Sequence, residues 1–427
     1  MANASSPTLN DSAADDVHSY AGRNTLHWKR NLAVCVFGSF TTLVSLTLLL
    51  PFLPIYVEEL GIKDSASIVQ WSGLAFGATF LATGLTAPLW GHLSDRYGRK
   101  PMLIRAALGM AAVMPLIGLA HNVYQLTLLR FVAGLIGGYA SSSTLLVATQ
   151  TPRDRAGWAL GILSTGALAG TMIGPLVGGI LPKFIGIRHT FFFSGGMIAV
   201  AALATIFLVK ENFVRKPVTA IPKQPVTLAS LGPAAIVVAA MFCTAMLVLF
   251  ANMSIEPIIT VYLGVLNVSR ESVVLDAGMV MAASAFGSIL MAARLGRLAD
   301  RIGGWKVIIY CLAATCVVLI PQAFVTSWWQ LAALRFVMGM TLAGLLPAIA
   351  KVIRQTVPEA ALGKVLGYSQ SAQYAGQVLG PLAGGAVGGL IGMRSVLLVT
   401  SVLLLTGAGL NLWARHHVSR MQLRGQA

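Results

Sequence analysis

Three charged side chains lie inside long apolar runs of this sequence. Glu256 stands roughly two helical turns from the end of its run, and Arg130 and Arg335 lie at similar depths in two other runs. A charge in such a run is costly, so it must face a cavity, an opposite charge or backbone carbonyls. A carboxylate among apolar groups is suited to bind and release a proton, so Glu256 is a candidate proton carrier.

Each of these residues has a structural alternative that the sequence leaves open. Glu256 could serve to neutralise Arg335, and a carboxylate in such a bridge could still carry a proton. Arg130 could bind an anionic solute or act as a purely structural partner. When the two parts of the chain are aligned, Leu50 falls opposite Glu256, so the carboxylate has no counterpart in the first part.

The sequence contains no other pattern that is typical of catalysis or cofactor binding. No nucleotide-binding string, zinc-ligand spacing, nucleophile elbow or DNA-binding motif occurs in it. The four cysteines lie in apolar runs without a CxxC pair, which favours buried hydrophobes over a disulfide or a metal site. We therefore expect no enzyme activity, no cofactor, no metal and no nucleic-acid partner.

The elements that must position these residues are membrane-spanning helices. The chain is 56% hydrophobic and 10% charged, with a mean hydropathy of +0.78, which is too little charge to coat a water-soluble body of 427 residues. Runs long enough to cross a bilayer as helices can be read twelve times. They lie near 32–55, 68–90, 101–121, 123–147, 157–181, 189–209, 233–262, 273–295, 305–326, 328–350, 362–390 and 394–414.

The chain is an internal duplication. The string from Gly91 to Lys100 returns 205 residues later from Gly296, and Arg130 returns as Arg335 at the same offset. This predicts an all-α membrane protein with twelve transmembrane helices in two pseudo-symmetric six-helix bundles. The predicted divisions are a polar tail at 1–27, bundles at 28–209 and 233–414, a linker at 210–232 and a basic tail at 415–427.

The basic residues indicate how the chain is oriented. The net charge is +16, but the Lys and Arg residues sit in short loops on alternate sides of the helices, which does not favour nucleic acid. With both ends inside, the inner loops and tails hold 23 of the 30. The first 27 residues lack an apolar stretch, so we expect the first span to be retained and both termini to be cytoplasmic.

The loop after the second span has the composition of a tight cytoplasmic turn. Gly91 and Gly98 allow tight or positive-φ backbone, Arg96 and Arg99 favour the inside orientation, and Asp95 can reach backbone amides at a nearby helix start. Any tight inner loop could share these features. The second copy keeps Asp300 and Arg301 but lacks two of the basic residues, so we expect it to be the weaker copy.

The fifth span carries small residues along one helix, which allows a neighbouring backbone to pack closely. Ordinary packing is the alternative. The members of the pattern are Gly161, Gly170, Gly174, Pro175, Gly178 and Gly179, and its second copy includes Gly380 and Pro381. We expect the two prolines to bend their helices where the halves meet.

Polar and deformable side chains in the seventh and eleventh spans suit a site for varied amphipathic solutes. These candidates are Met246, Phe250, Tyr368, Gln370, Gln373, Tyr374 and Gln377. Lipid-facing or core packing is an equal alternative for each Met and Phe taken singly. The glutamine and tyrosine cluster is the stronger signal, because amides in a membrane need partners or cavity water.

The loop string from Gly91 to Lys100 resembles the signature loop of the major facilitator superfamily. The string from Gly161 to Gly179 resembles the fifth-helix pattern of the antiporter branch, and Arg130 to Gly134 resembles the fourth-helix motif, with Ala133 where Gln is common. Over 28–414 the chain is most similar to the twelve-helix drug:proton antiporters of bacterial inner membranes.

The resemblance implies a function and roles for the residues above. It implies export of small molecules in exchange for protons by alternating access, in a protein that works as a monomer in the bilayer. It also implies a cytoplasmic gate at the two Asp-Arg loops and help in proton transfer from Arg130. Glu256, Arg130 and Arg335 are therefore our candidates for proton coupling.

The same scaffold would also serve other tasks. A proton-coupled exporter of one metabolite, such as a sugar, siderophore or amino acid, would have the same pattern. A membrane receptor that does not transport would also be apolar and basic inside. It would have little reason to keep two copies of the Gly-Pro helix.

Overall fold

A computed structural model describes residues 27–152, 154–211, 213 and 234–424 of the chain. The predicted tail at 1–27 and the predicted linker at 210–232 lie almost entirely outside the described residues. Their boundaries therefore stay predictions.

The described chain is helical throughout, and we number the spans α1 to α12. The first six are α1 (Trp28–Thr47 and Leu53–Glu59), α2 (Ser65–Tyr97), α3 (Arg99–Gly118), α4 (Val123–Ile136 and Tyr139–Gln150), and α5 and α6, which share Ala156–Leu208. The last six are α7 (Ala234–Ile255, a 3₁₀ turn Glu256–Ile258, and Ile259–Val265), α8 (Val273–Ile302), α9 (Gly304–Gln322), α10 (Trp328–Leu342 and Leu345–Thr356), α11 (Glu359–Leu390) and α12 (Met393–Arg424).

Ten of the described helices are long and apolar enough to cross a membrane. One of the ten, Ala156–Leu208, is 53 residues long and breaks at Gly186, whose φ of 78° divides it into α5 and α6. α11 falls outside the ten, but it is 32 residues long and packs between α2 and α7. The prediction of an all-α membrane fold with about twelve spans is confirmed.

The structure differs from the sequence prediction in the continuity of four spans. The apolar runs predict single helices, yet α1, α4, α7 and α10 are each interrupted. In α7 the interruption falls at Pro257, which has no N–H to donate to the turn before it. In α4 it falls at Gly138, whose φ of 108° leaves the helical region. In contrast, α5 and α11 stay helical through Pro175 and Pro381.

The two halves repeat each other in three dimensions. The Tyr56 hydroxyl donates to the carbonyl of Ile117 at 2.7 Å, and the Tyr262 hydroxyl donates to the carbonyl of Gln322 at 2.9 Å. These residues are 206 and 205 positions apart in the chain. Equivalent tyrosines therefore join the first span of each half to the end of its third span by a hydrogen bond.

The halves meet through a reciprocal pair of backbone contacts. Gly73 of α2 lies against the carbonyl of Pro381 in α11, and Gly278 of α8 lies against the carbonyl of Pro175 in α5. At either glycine an added Cβ would overlap that carbonyl oxygen. A glycine is required at both positions because two backbones approach each other there.

The two faces of the bundle differ in the contacts that the structure describes for them. We call the face that carries Trp28, Gly98 and Lys210 the terminal face, and the face that carries Glu58 and Arg270 the distal face. The reciprocal contacts lie toward the distal face. Near the terminal face, no described residue lies within 4 Å of a Cβ placed at the following glycines: Gly91, Gly157, Gly161, Gly296, Gly363 and Gly367.

The close contact at Gly278 gives a first prediction. Gly278→Ala should destabilise the protein by about 1–3 kcal/mol, because the carbonyl of Pro175 belongs to a packed helix and cannot move aside. The melting temperature in detergent should fall by about 3 °C or more. Gly196→Ala is the matched control, since no described residue lies within 4 Å of a Cβ at that position. If the two variants had the same melting temperature, the close contact at Gly278 would be contradicted.

Candidate functional site

A cavity of about 640 Å³ lies between the two halves and is lined by α1, α2, α5, α7, α8, α10 and α11. Most of its wall is aliphatic, Met or Phe. The polar lining side chains are Thr47, Thr171, Asn252, Glu256, Ser284, Ser288 and Gln377. Glu256 is the only charged residue among the described residues that line this cavity. Its counterpart Leu50 lines the opposite wall.

Glu256 occupies the point at which α7 changes from α-helix to 3₁₀ turn. The side-chain amide of Asn252, one turn earlier, donates to Oε1 of Glu256 at 2.9 Å. The other carboxylate oxygen, Oε2, is buried and has no hydrogen-bond partner among the described residues. A buried oxygen in this position needs a donor, and a bound proton or a solute can supply one.

Arg335 does not pair directly with Glu256. The guanidinium is buried, and its Nη1 lies 3.8 Å from Sδ of Met338. Its Nε and Nη2 have no hydrogen-bond partner in the described part of the chain. Within that same part, no ion pair of 4 Å or less joins Glu256 to Arg335. The direct salt bridge of the alternative interpretation is therefore not formed in this conformation.

Arg130 lies behind the cavity wall. It is fully buried, and its three guanidinium nitrogens find no hydrogen-bond partner among the described residues. Its Cζ is 5.3 Å from the centre of the Phe76 ring, which itself lines the cavity. The ring offers the cation a favourable face but supplies no acceptor. Of the three predicted coupling residues, the structure places Glu256 in the cavity and both arginines outside its lining.

The two gate loops differ in a way that the loop sequences do not reveal. Asp95 is exposed and lies 3.6 Å from Nη2 of Arg99, whereas Asp300 lies 2.6 Å from Nζ of Lys351. The expectation that the second copy is the weaker one does not fit this geometry. The additional cation comes from α10, outside the loop. Because both carboxylates are mostly exposed, neither pair contributes much to stability.

The other gate residues form fewer contacts. The guanidinium of Arg96 lies 5.4 Å from the centre of the Tyr97 ring. Gly98 has a φ of 96°, which explains a glycine at this turn. No ion pair involves Arg96 or Arg301 within the described ranges.

Glu211 lies just after α6 and contacts the first gate loop, a partner that the loop sequence did not indicate. Its carboxylate accepts hydrogen bonds from the backbone N–H groups of Arg99 at 3.0 Å and Lys100 at 2.6 Å, at the start of α3. The backbone of Lys210 is held in turn by the side chain of Asn31. An acid directly after an apolar run, beside a helix start whose N-cap is a glycine, is the signal that would have indicated this cap.

The Gly-Pro helix has two contact sides. Gly170, Gly174 and Gly178 face the backbone of α1, where an added Cβ would overlap its atoms. Pro175 and Gly179 face α8 in the other half. The pattern therefore fixes α5 within its own half and against the other half together.

The second copy of this helix makes the same two kinds of contact. Gly380 of α11 lies against Phe250 of α7, and Pro381 lies against Gly73 of α2. At Gly161, at the start of the first copy, no described residue lies within 4 Å of an added Cβ.

The predicted substrate residues are spread over several environments. Gln377 lines the cavity. Met246 and Phe250 contribute backbone atoms to the packing of α7 against glycines of α11, and Tyr374 packs on Gly84 of α2. The remaining three are Tyr368 and Gln370, which are exposed, and Gln373, which is half-buried. The structure thus brings one of the seven to the wall that carries Glu256.

Comparison with known proteins gives consistent matches along the chain. The family described as the Major Facilitator Superfamily matches residues 35–277 and 241–425. The multidrug resistance protein MdtG of Proteus mirabilis (strain HI4320) is 43% identical over 377 residues, which cover 88% of this chain and 93% of that protein. MdtG of Salmonella paratyphi C (strain RKS4594) is 40% identical over 383 residues, 90% of this chain and 95% of that protein.

Solved structures share the architecture at low sequence identity. A bacterial homologue of the human lysosomal transporter Spinster, in an inward-facing and unoccupied conformation, aligns with a TM-score of 0.71 and 16% identity over 92% of this chain and 98% of that chain. The human organic anion transporter MFSD10 aligns with a TM-score of 0.65 and 18% identity over 90% of this chain and 99% of that chain. At these identities the likeness concerns the fold.

The Glu211 cap gives a second prediction. Glu211→Ala should destabilise the protein by about 2 kcal/mol, because two N–H groups at the start of α3 lose a charged acceptor. Melting in detergent should therefore occur several degrees lower. Glu359→Ala is the control, since that exposed first-turn acid makes no capping hydrogen bond. If both variants melt at the same temperature as the unmodified protein, the Glu211 cap does not contribute to stability and the prediction is wrong.

Proposed function

The chain belongs to the major facilitator superfamily, and we propose that it is a secondary transporter that exports drugs or amphipathic small molecules in exchange for protons. The observation that carries the proposal is an apolar cavity between two like halves, with Glu256 as the one charged group in its described lining. A volume of about 640 Å³ is in the range of pockets for drug-sized ligands. The high identity to proteins named for multidrug resistance supports the same solute class.

The conformation supports alternating access as the mechanism. The halves touch at Gly73 and Gly278 toward the distal face, and no such close contact is described for the glycines near the terminal face. We infer that a solute enters the cavity from the terminal side. Rocking of one half against the other would close the terminal face and open the distal face. The gate loops with Asp95 and Asp300 lie at the terminal face, where their contacts would change during this motion.

We place the terminal face in the cytoplasm of a bacterial cell and the protein in the inner membrane. The support is the distribution of charge, since the loops and tails on this side hold 23 of the 30 basic residues. The small solute, protons and the bilayer are then its partners, and one chain forms a complete transport unit. We propose no catalytic activity for it.

In the proposed cycle, Glu256 exchanges a proton for the solute. The carboxylate oxygen Oε2 lacks a hydrogen-bond partner among the described residues, so either a proton or a solute donor can occupy it. Arg130 and Arg335 support this exchange from behind the cavity wall. One proton that moves inward releases about 2.3 kcal/mol per 100 mV and about 1.4 kcal/mol per pH unit. Together these would sustain a solute gradient of about a few hundredfold.

Proton coupling is tested in proteoliposomes loaded with a fluorescent cationic or neutral drug. A proton gradient imposed in one direction or the other should drive net drug flux in opposite directions, and an uncoupler should abolish both. A sodium gradient of the same size is the control. Flux that follows sodium and ignores protons would overturn the proposal.

A drug panel in an efflux-deficient host separates broad export from transport of one metabolite.

The role of Glu256 is tested by charge removal. Glu256→Gln holds the site in a form that cannot exchange a proton, so uphill export should fall at least tenfold while drug–drug exchange persists. Glu271→Gln, at an exposed loop position, is the matched control and should export normally. Full uphill export by Glu256→Gln would refute the coupling role.

The structural alternative makes a different prediction for the same site. If Glu256 only neutralises Arg335, Glu256→Gln should lower the melting temperature and Arg335→Gln should partly restore it, because the double variant leaves neither charge uncompensated. Export, exchange and melting of both single variants and the double variant separate the two roles.

A further inference from the structure

Three polar side chains recur at every fourth position along α7, and we call them the polar stripe: Asn252, Glu256 and Thr260. Side chains at this spacing lie along one side of a helix. The first two line the central cavity, and Thr260 lines a second pocket at the distal face. The polar stripe therefore runs from the central cavity, past the contacts between the halves, to the pocket at the distal face.

The polar stripe has no counterpart in the first half. The positions 206 residues earlier in α1 are Leu46, Leu50 and Pro54. The duplicated scaffold thus carries this row of polar groups on one side only. Helix packing does not require polar residues at these three positions, because apolar residues occupy the equivalent positions in the other half.

Thr260 makes a hydrogen bond between the two halves. Its hydroxyl donates to the carbonyl of Pro51 at 2.7 Å, and both groups are buried. Pro51 lies in the interruption of α1, between Thr47 and Leu53. The mirror-related contact cannot form, because the counterpart of Thr260 is Pro54, which has no hydroxyl. The bond is therefore made once in the molecule.

A second polar contact also joins the halves at the distal face. Arg270 and Glu58 form an ion pair there, with the arginine side chain 83% exposed. An exposed pair contributes little because water and salt screen it. Loss of the donor to a buried carbonyl costs more free energy than loss of an exposed ion pair, since nothing replaces the buried hydrogen bond. Thr260 should therefore control closure more than Arg270 does.

The turn that separates Glu256 from Thr260 is a weak point of α7. Residues Glu256–Ile258 form a 3₁₀ turn, and Pro257 removes one backbone donor from it. Because this turn lacks one backbone hydrogen bond, it can change its geometry at a lower cost in free energy than the rest of α7. A change at the carboxylate thus reaches the hydroxyl through a single turn.

We propose that Thr260 is a positioning residue of the transport cycle, whose hydroxyl holds the distal face closed and links that closure to the state of Glu256 through one turn of α7. The proposal rests on the proposed function in one respect: it takes the halves to separate at the distal face during export.

The test reads the distal opening directly by pulsed electron paramagnetic resonance. Spin labels at His121 and Thr326, which are exposed and occupy equivalent distal loops of the two halves, report the distance between the halves in a cysteine-free background. Measurements are made in nanodiscs without solute or ion gradient. Thr260→Val keeps the shape of the side chain and removes the donor, so the ratio of distal-open to distal-closed molecules should rise about tenfold.

Three further variants serve as controls. Thr260→Ser keeps the hydroxyl and should restore the closed population. Thr406→Val removes a hydroxyl that donates within its own helix and should leave the distances unchanged. Arg270→Gln should shift the ratio less than twofold.

The link to Glu256 is read from a double-variant cycle on the same distances. Glu256→Gln should change the ratio of distal-open to distal-closed molecules by one factor when Thr260 is intact and by a different factor when it is combined with Thr260→Val, whereas equal factors would overturn the link. An unchanged distance distribution in a folded Thr260→Val protein would overturn the gate role, as would a serine variant that behaves like the valine variant. Because the distances need no solute and no gradient, a failure of drug export leaves this result interpretable.

Discussion

Close approach of helix backbones is the constraint on which this structure depends. Lipid is as apolar as a leucine side chain, so helices in a membrane gain little from burying apolar surface and must gain from contact itself. In this chain α5 and α11 supply that contact. Each presents glycines to the first span of its own half and a proline carbonyl to a glycine of the other half. The two helices therefore hold each bundle together and also form the surface along which the bundles meet.

The duplication explains why most of the fold could be predicted. Long apolar runs and a repeat at an offset of 205 or 206 residues are properties of the sequence, and they led to the correct helical class and the pairing of the halves. The interruptions of α1, α4, α7 and α10 could not be read from hydropathy, because a run stays apolar whether its backbone is continuous or broken. A proline or a glycine at each break was visible, but such residues also occur inside unbroken helices such as α5.

The candidate site was predictable in part, for a different reason. Glu256 could be found because a single carboxylate in an apolar run stands out, and its cavity position follows from that cost. The partners Glu211 and Lys351 were not found, because each lies far in sequence from the loop that it contacts, Glu211 just after α6 and Lys351 within α10. Met246 and Phe250 show the same limit, since side-chain type does not reveal whether a residue meets a cavity or a neighbouring helix.

The Glu211 cap also bears on how the protein is made. Domains generally fold as units, and the N-terminal one folds first during synthesis. The tyrosine bonds at Tyr56 and Tyr262 each stay within one half, and so does the Glu211 cap on the start of α3. None of these contacts requires the second half, so the first bundle can assemble while the second is still being translated.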